Sequence, residues 1–271
     1  MIAKNTRAEI KGYLQGFVHG LIEEHRPEKR VGRVAERRVS FSSKEGDLKP
    51  FHEAIIPPEV IRISEFERSF STKLGTTFEE YARLIARQTF EIAQRNYKAS
   101  GFMPLAAAAK IEELVAKLGQ AGKHQSFPEM INCVLSVKDH TLVERPVIAD
   151  LYLKEANGHE HFFEIKSPKP NKGQCLEITE RLLRIHAIKQ ANRPRINAYF
   201  AMGYNPYGSS KASYTHSFAL RYLDIENQLL LGEEFWTYIG GNGTFGQLLE
   251  IYQEIGVEMG KTIIDSLAFN F

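Results

Sequence analysis

Two apolar runs in the middle of the chain carry charges where a folded protein rarely tolerates them. Val147-Ile148-Ala149 is followed by Asp150, and Phe162-Phe163 leads into Glu164-Ile165-Lys166. Both runs are typical of strands, and the Asn-Gly pair in Ala156-Asn157-Gly158-His159 between them indicates a hairpin. Buried charges are costly unless they are paired or bound to a metal ion. This strand pair therefore constrains the fold and the chemistry together.

The length of the hairpin loop decides which side chains share a face of the sheet. Strand side chains alternate, so Glu164 and Lys166 point to one face while Phe163 and Ile165 point to the other. A loop of two residues would place Asp150 on the face opposite Glu164, whereas three residues or a bulge would bring the two carboxylates together. We predict the longer or bulged loop.

An acid two residues before a lysine is a weak signal by itself. The chain has three such triplets, Glu9-Ile10-Lys11, Asp47-Leu48-Lys49 and Glu164-Ile165-Lys166. The first lies in the opening turn of a predicted helix and the second in an irregular segment. Only the third lies on a predicted strand with an upstream acid on a neighbouring strand, so only the third is a candidate site.

Two carboxylates on one face form an oxygen-rich site of the kind that Mg²⁺ prefers. Asp150 and Glu164, with the backbone carbonyl of Ile165, are the candidate metal ligands. A bound metal ion would polarise a phosphate and acidify a water molecule, which Lys166 would orient. A buried ion network without chemistry is the alternative.

Hydrophobic periodicity predicts helices first and a strand-rich centre after them. The apolar residues from Ile10 to Ile22 recur at helical spacing, with a capping box at Thr6–Glu9. Further helices are predicted at 58–70, 76–98, 104–118, 176–191 and 246–255, and strands at 132–137, 147–154, 161–165, 196–202 and 217–223. This order predicts an α/β or α+β fold with a mixed central β-sheet flanked by helices.

The length of 271 residues suits a single domain. We expect a mainly helical portion over 1–120, a sheet core over 130–225 and a mixed C-terminal portion over 226–271. The absence of a long apolar run argues against a membrane span, and two cysteines argue against a disulfide framework, so we expect a cytoplasmic protein. Net charge is +2, but basic residues concentrate between Arg26 and Arg38, as either a phosphate-binding or a merely solvated segment.

Asp150 followed by Glu164-Ile165-Lys166 resembles the PD-(D/E)xK nuclease superfamily, with Ala149 in the position of the proline. The string from Glu164 to Gln174, and the segments 49–53, 66–71 and 235–240, resemble type II restriction endonucleases of the TdeIII-like family. The resemblance covers most of the chain. It implies a restriction-endonuclease-like core with a helical N-terminal lobe, and Mg²⁺-dependent cleavage of double-stranded DNA at a short GC-containing palindrome of the GG…CC type. Cutting both strands of a symmetric site requires two active sites, so a homodimer is expected.

The segment Gly75-Thr76-Thr77-Phe78-Glu79 resembles another element of these nucleases, a helix-borne glutamate that reaches the metal site. Glu79 is the candidate for this catalytic role. The spacing of Thr76 and Glu79 is also that of a capping box, and the sequence leaves both interpretations open.

Two polar segments are candidate DNA-binding loops. The first follows Lys166 directly, and the second follows the predicted strand 196–202. Their candidate contacts are side chains suited to base edges and phosphates: Lys169, Asn171, Lys172, Gln174, Tyr204, Asn205, Tyr207, Ser210 and Lys211. A solvated loop or an ordinary connector is the alternative in each case.

Two other functions remain open at this stage. The same acid–acid–lysine chemistry would serve a repair or recombination nuclease that recognises DNA structure. A DNA-binding module with a vestigial site is the rival from another class.

Overall fold

The structure, a computed structural model, describes residues 1–26, 49–189 and 195–269. Most of the basic segment between Arg26 and Arg38 therefore lies outside the described residues, as do Asp47 and Leu48 of the second acid–lysine triplet. None of the described helices combines the length and apolarity required to span a bilayer.

The chain forms two compact units. The larger comprises residues 1–3 and Gly75–Gln247, and the smaller comprises Lys4–Leu74 and Leu248–Phe271. The division expected from the sequence, at about 120 and 226, stays a prediction.

In chain order, helices and strands alternate more than the sequence predicted. The helices are α1 (Lys4–His25), α2 (Pro50–Ile55), α3 (Pro58–Ala86), α4 (Leu105–Ala121), α5 (Phe127–Ser136), α6 (Lys172–Ile188), α7 (Ser217–Tyr222), α8 (Ile225–Gln228), α9 (Glu233–Gly240) and α10 (Thr244–Ile264). The strands are β1 (Ile92–Ala99), β2 (Phe102–Pro104), β3 (Leu142–Glu144), β4 (Val147–Lys154), β5 (Glu160–Lys166), β6 (Ile196–Met202) and β7 (Leu229–Leu231).

A five-stranded mixed sheet with the order β1-β4-β5-β6-β7 forms the centre of the larger unit. Strands β1, β4 and β5 pair antiparallel, and β5, β6 and β7 pair parallel. A parallel pair needs a crossover connection, which α6 supplies between β5 and β6. The predicted mixed sheet flanked by helices is confirmed.

The hairpin between β4 and β5 has the longer loop that the shared face requires. Lys154 pairs with Glu160, and the Glu155 amide donates to the His159 carbonyl at 2.9 Å, which leaves a three-residue loop. Gly158 in that loop has φ +85°, a left-handed conformation that favours glycine. The predicted longer loop is confirmed.

The two faces of the sheet are covered by different helices. On one face, Phe162, Phe200 and Met202 join the apolar side chains of α4, α5 and α6 in a single core cluster. On the other face, Phe163 of β5 packs against Phe235 of α9, with ring centroids 5.8 Å apart. Strand β5 is therefore buried from both sides, and any charge on it needs a partner.

The smaller unit is helical. Ile10, Leu14 and Val18 of α1 are buried at helical spacing, and Phe17 of α1 contacts Phe70 of α3. Along their polar sides α1 and α10 are joined by ion pairs, Arg7 with Glu254 and Lys11 with Glu258. Helix α1 begins at Lys4, so Thr6 lies inside the helix and the predicted capping box at Thr6–Glu9 is wrong.

Three segments differ from the predicted secondary structure. The helix predicted over 76–98 is the end of the longer helix α3, and its second half is the edge strand β1. The strand predicted at 132–137 belongs to α5, whose buried residues Phe127, Met130 and Val134 keep helical spacing and whose first turn is capped by Ser126. The strand predicted at 217–223 is the short helix α7.

Candidate active site

Strands β4 and β5 separate at the end that carries the charged residues. Their last paired residues are Leu151 and Phe163, and continuing this register places Asp150 opposite Glu164. Here a side chain of β4 replaces the backbone as the partner of β5. The Oδ2 atom of Asp150 accepts a 2.7 Å hydrogen bond from the Ile165 amide. The same oxygen accepts a 2.9 Å hydrogen bond from Lys166 Nζ. The three predicted residues therefore lie together.

Glu164 is the most buried charge of this group. Its side chain has 0% exposure, and Oε1 has no hydrogen-bond partner among the described residues. Burial, together with the nearby charge of Asp150, raises the pKa of Glu164 to about 8, although Arg181 and Lys166 act in the opposite direction. A solvent-shielded carboxylate oxygen without a donor is uncommon in folded proteins, and it is suited to binding a cation.

Arg181 is a member of the site that the sequence analysis missed. Its Nη1 lies 2.9 Å from Glu164 Oε2, close enough for an ion pair but not oriented as a hydrogen bond. Its Nη2 donates to the Ile148 carbonyl at 2.6 Å, which fixes the side chain beside β4. The signal for it was the crossover: a helix that leaves the end of β5 and returns to a parallel β6 must cross this face of the sheet.

Glu79 lies in the interior of α3, well after the helix begins at Pro58. The capping-box interpretation of Thr76 and Glu79 is therefore wrong. Glu79 Oε2 accepts a 2.7 Å hydrogen bond from Arg95. Burial raises the pKa of Glu79, and the charges of Asp150 and Lys166 both act on it, which places this carboxylate close to the strand residues.

Arg95 was also missed, because the segment that carries it was predicted as helix. It lies on β1, opposite Leu151, and also pairs with Glu80. The next residue, Asn96, is the one described non-glycine residue with a left-handed φ, at +51°. Continuing the β1–β4 register places Asn96 across from Asp150. Backbone strain of this kind costs free energy and concentrates at functional sites.

Asn171 and Gln174, two of the predicted DNA contacts, cap helix α6. The Asn171 side chain accepts from the Gln174 amide, and the Gln174 side chain accepts from the Asn171 amide, both at 2.9 Å. This reciprocal capping box explains both residues without DNA. Lys172 donates to the Gly119 carbonyl, and Lys169 Nζ lies 5.7 Å from the centre of the Tyr207 ring.

The two candidate DNA-binding loops lie side by side. The Tyr214 hydroxyl donates to the Pro168 carbonyl at 2.7 Å, and His216 Nε2 lies 2.8 Å from the Pro170 carbonyl oxygen. The loops follow the ends of the parallel strands β5 and β6, where Lys166 pairs with Met202. Both loops therefore leave the sheet at the same end of the strands, where Lys166 lies.

Side chains of the second loop divide into exposed and engaged residues. Tyr204 and Tyr207 are exposed. Asn205 is engaged, donating to the Ser210 carbonyl and accepting from the Tyr207 amide. Lys211 pairs with Glu234 at 2.9 Å. Trp236 is completely buried, and its indole donates to the Gly203 carbonyl, as expected of a core residue.

A second group of potential metal ligands lies at the opposite end of the hairpin. Glu155, His159 and His161 each offer a ligand atom, and these atoms lie within 4.8 Å of one another. No spacing in the sequence marks these three residues as a site.

Comparisons with known proteins agree with a nuclease. Residues 4–256 match the family described as "Type II restriction endonuclease, HinfI". The chain is 42% identical over 266 residues to "Type II restriction enzyme HgiEI" of Herpetosiphon aurantiacus, with 97% of each chain covered, and equally to "Type II restriction enzyme HgiBI" of the same organism. It is 24% identical to "Type II restriction enzyme MjaII" of Methanocaldococcus jannaschii, over 82% of this chain and 67% of that one.

The type II restriction endonuclease resemblance stated from the motifs is thus confirmed. The TdeIII-like assignment and the PD-(D/E)xK assignment stay predictions. The chain belongs to the HinfI family of type II restriction endonucleases.

Proposed function

We propose that this protein hydrolyses phosphodiester bonds of double-stranded DNA at one short sequence, using Mg²⁺ held by a PD-(D/E)xK centre. The observation that carries the proposal is the grouping of Asp150, Glu164 and Lys166 where β4 and β5 separate, with one Glu164 oxygen buried and without a donor. Membership of this family indicates that the chain is a site-specific endonuclease.

The residues present fit a divalent metal ion. Carboxylate and carbonyl oxygens are the ligands that Mg²⁺ accepts, and a buried carboxylate oxygen without a donor is suited to binding such a cation. Asp150, Glu164 and the carbonyl of Ile165 would hold it. When bound, the metal supplies Lewis-acid polarisation of the phosphate and a water molecule of lowered pKa.

Lys166 provides positive charge beside the reacting phosphate in this proposal. Its Nζ already donates to Asp150, and it remains about one-third exposed, so it is reachable from the surface. A fixed ammonium there stabilises charge that develops on the phosphate oxygens and orients the attacking water. Arg181 holds Glu164 from the side of α6 and offsets part of its charge.

Glu79 is the third carboxylate of the proposed centre. In this structure it is bound to Arg95 rather than to Asp150 or Lys166. The charges of Asp150 and Lys166 act on the pKa of Glu79, and a water-mediated contact to the metal site is the role that we propose for this carboxylate. Arg95 would hold the carboxylate in place through its hydrogen bond and would oppose the rise in the pKa of Glu79.

The joined pair of loops after β5 and β6 is the proposed DNA-binding surface. Tyr204 and Tyr207 are exposed there, and Lys169 lies over the Tyr207 ring. Asn171 and Gln174 cap α6, and the side chains of Lys172, Asn205 and Lys211 are hydrogen-bonded or ion-paired within the protein. Ser210 is held through its backbone carbonyl, which accepts from Asn205. Any of these residues that contacts DNA does so from a position that the protein fixes. Pre-positioned polar groups suit base recognition because little side-chain entropy is lost on binding.

A short GC-containing palindrome and a homodimer complete the proposal. A symmetric recognition sequence is cut on both strands by two copies of the centre related by a twofold axis. The relatives named type II restriction enzymes make sequence-specific cleavage the natural activity to test first.

Digestion of a sequenced plasmid with Mg²⁺, followed by mapping of the fragment ends, tests this function. We expect discrete bands whose ends share one short symmetric sequence. Nicking that follows DNA structure would indicate a repair-type nuclease. Binding of DNA without any cutting in Mg²⁺ or Mn²⁺ would contradict the proposal and indicate a vestigial centre.

A further inference from the structure

The hairpin that carries Asp150 and Glu164 at one end has a different chemistry at its loop. Glu155, His159 and His161 bring one carboxylate and two imidazoles together there, with ligand atoms within 4.8 Å of one another. At about 3.3 Å per residue, Glu155 and His159 lie five residues, roughly 16 Å, from the Asp150–Glu164 pair, and His161 lies three residues, roughly 10 Å, from Glu164. The group is too far away to share a metal ion with that pair.

We propose that Glu155, His159 and His161 form a second cation site, for a transition-metal ion of the Zn²⁺ class. Two imidazoles and one carboxylate are a known ligand set for Zn²⁺, with a fourth position left for water. Mg²⁺ prefers oxygen ligands and waters, so the two proposed sites differ in the metal that they select.

The loop positions two of the three ligands. Asn157 Nδ2 donates to Glu155 Oε2 at 2.7 Å, and Asn157 Oδ1 accepts from the His159 amide at 2.8 Å. The Asn157 carbonyl in turn accepts from Arg195 Nη1. Glu155 keeps its other oxygen, Oε1, directed at His161 Nε2, 3.0 Å away.

His161 has the environment of a metal-binding histidine. It is 2% exposed, and its Nδ1 lies 2.7 Å from the Tyr238 hydroxyl. That hydroxyl accepts from Asn197 Nδ2 at 3.0 Å. The Glu155 carboxylate can only accept, so without a metal ion Nε2 of His161 carries the hydrogen and donates to Oε1. A cation bound at Nε2 would replace this hydrogen, and Nδ1 would then donate to the Tyr238 hydroxyl, as the free nitrogen of a metal-binding histidine does to its partner.

His159 supplies an independent observation. Its Nε2 is shielded from solvent and has no hydrogen-bond partner among the described residues. Its ring stacks on that of His161, with centroids 4.5 Å apart. A shielded imidazole nitrogen without a partner is explained by a cation that binds there.

A metal ion at this site would have a structural role. It would clamp the loop to the start of β5 and, through Tyr238, to α9, and so hold the register that places Asp150 opposite Glu164. Cleavage chemistry would still depend on the other end of the hairpin.

Equilibrium dialysis with Zn²⁺ and the absorption spectrum with Co²⁺ test the site in the full chain. Both are measured in a Glu164→Gln background, which weakens any ion at the nuclease centre. We expect one bound ion and a visible Co²⁺ band of tetrahedral intensity. His159→Gln should weaken binding at least about 100-fold, since it removes a ligand outright. Zn²⁺ should raise the Tm of the parent by about 5 °C or more at saturation, and not that of the variant.

His140→Gln is the matched control, because this exposed histidine lies outside the group. It should bind Zn²⁺ as the parent does. Glu155→Gln, at the half-exposed loop position, gives a second ligand variant that leaves both histidines in the chain. Equal Zn²⁺ binding by the parent and His159→Gln, or no binding by the parent, would overturn the proposal. Neither result would bear on Mg²⁺-dependent cleavage, which is measured separately.

Discussion

Replacing Glu164 by Gln separates the stability of the nuclease centre from its activity. Burial and the charge of Asp150 raise the pKa of Glu164 to about 8. In the unfolded chain its carboxyl titrates near 4.5. Between these values the folded protein keeps a proton that the unfolded chain has lost, so the folded state loses stability as pH rises through this window. Below pH 4.5 the contribution is fully present.

The magnitude follows from the size of that window. At about 1.4 kcal/mol for each pH unit, one such group removes at most roughly 5 kcal/mol of unfolding free energy between pH 4.5 and pH 8. Movement of Arg181 and entry of water reduce this amount, and we expect about 2–4 kcal/mol. Glutamine has the same shape and does not ionise. The metal-free Glu164→Gln variant should therefore be more stable than the parent above pH 8 and should cut no DNA.

Denaturant unfolding of both proteins without divalent metal, at a series of pH values, checks this. The difference between the two unfolding free energies cancels groups that titrate alike in both. Glu177→Gln is the matched control, because Glu177 also pairs with Arg181 but its side chain is 64% exposed. Its difference should stay nearly flat with pH. Saturating Mg²⁺ should restore the parent's stability above pH 8. A difference between parent and Glu164→Gln that does not change with pH, or that favours the parent as pH rises, would refute the argument.

Three further predictions concern neighbours of the site. Glu79→Gln should lower the cleavage rate about 10- to 100-fold, whereas Glu80→Gln, the adjacent carboxylate, should change it little; equal effects in single-turnover assays would refute a specific role for Glu79. Arg181→Met should move the onset of cleavage at subsaturating Mg²⁺ to higher pH, because Glu164 loses a cation that lowers its pKa; an unshifted pH–rate profile would contradict this. Asn171→Ala should cost about 1 kcal/mol of stability while Asn171→Asp, which keeps a capping oxygen, should not; equal denaturation midpoints would show that the cap is unimportant.

Strands β4 and β5 were predictable because their sequence signals are local and consistent. The alternation of Phe163 and Ile165 against Glu164 and Lys166 placed two charges on one face of a buried strand. The requirement that Asp150 share that face then predicted the loop length that the structure has. Local propensity alone allowed both a two-residue loop and a longer one. The requirement that the two carboxylates share a face favoured the longer loop.

The edge strand β1 could not be predicted in the same way. Its residues Ile92–Ala99 are mostly polar and partly exposed, and only pairing with β4 makes them a strand. Because β1 was not predicted, Arg95, which donates a hydrogen bond to Glu79, was not identified either. The sequence also supported two interpretations of Glu79, as a residue of the metal site or as part of a helix cap. The unbroken helix α3 from Pro58 to Ala86 excludes the cap.

Arg181 and the Glu155–His159–His161 group were missed for a related reason. Each depends on side chains that come together through register or crossover and not through a recognisable spacing in the chain.

Cleavage of a single-site duplex under single-turnover conditions with Mg²⁺ tests the central claim most directly. The parent protein is compared with Lys166→Met and with Lys117→Met, whose exposed lysine pairs only with Glu113 among the described residues. The account predicts that Lys166→Met loses at least about 100-fold in rate while still binding the duplex, and that Lys117→Met cuts like the parent. Cleavage by Lys166→Met at the parental rate would contradict a centre built from Asp150, Glu164 and Lys166.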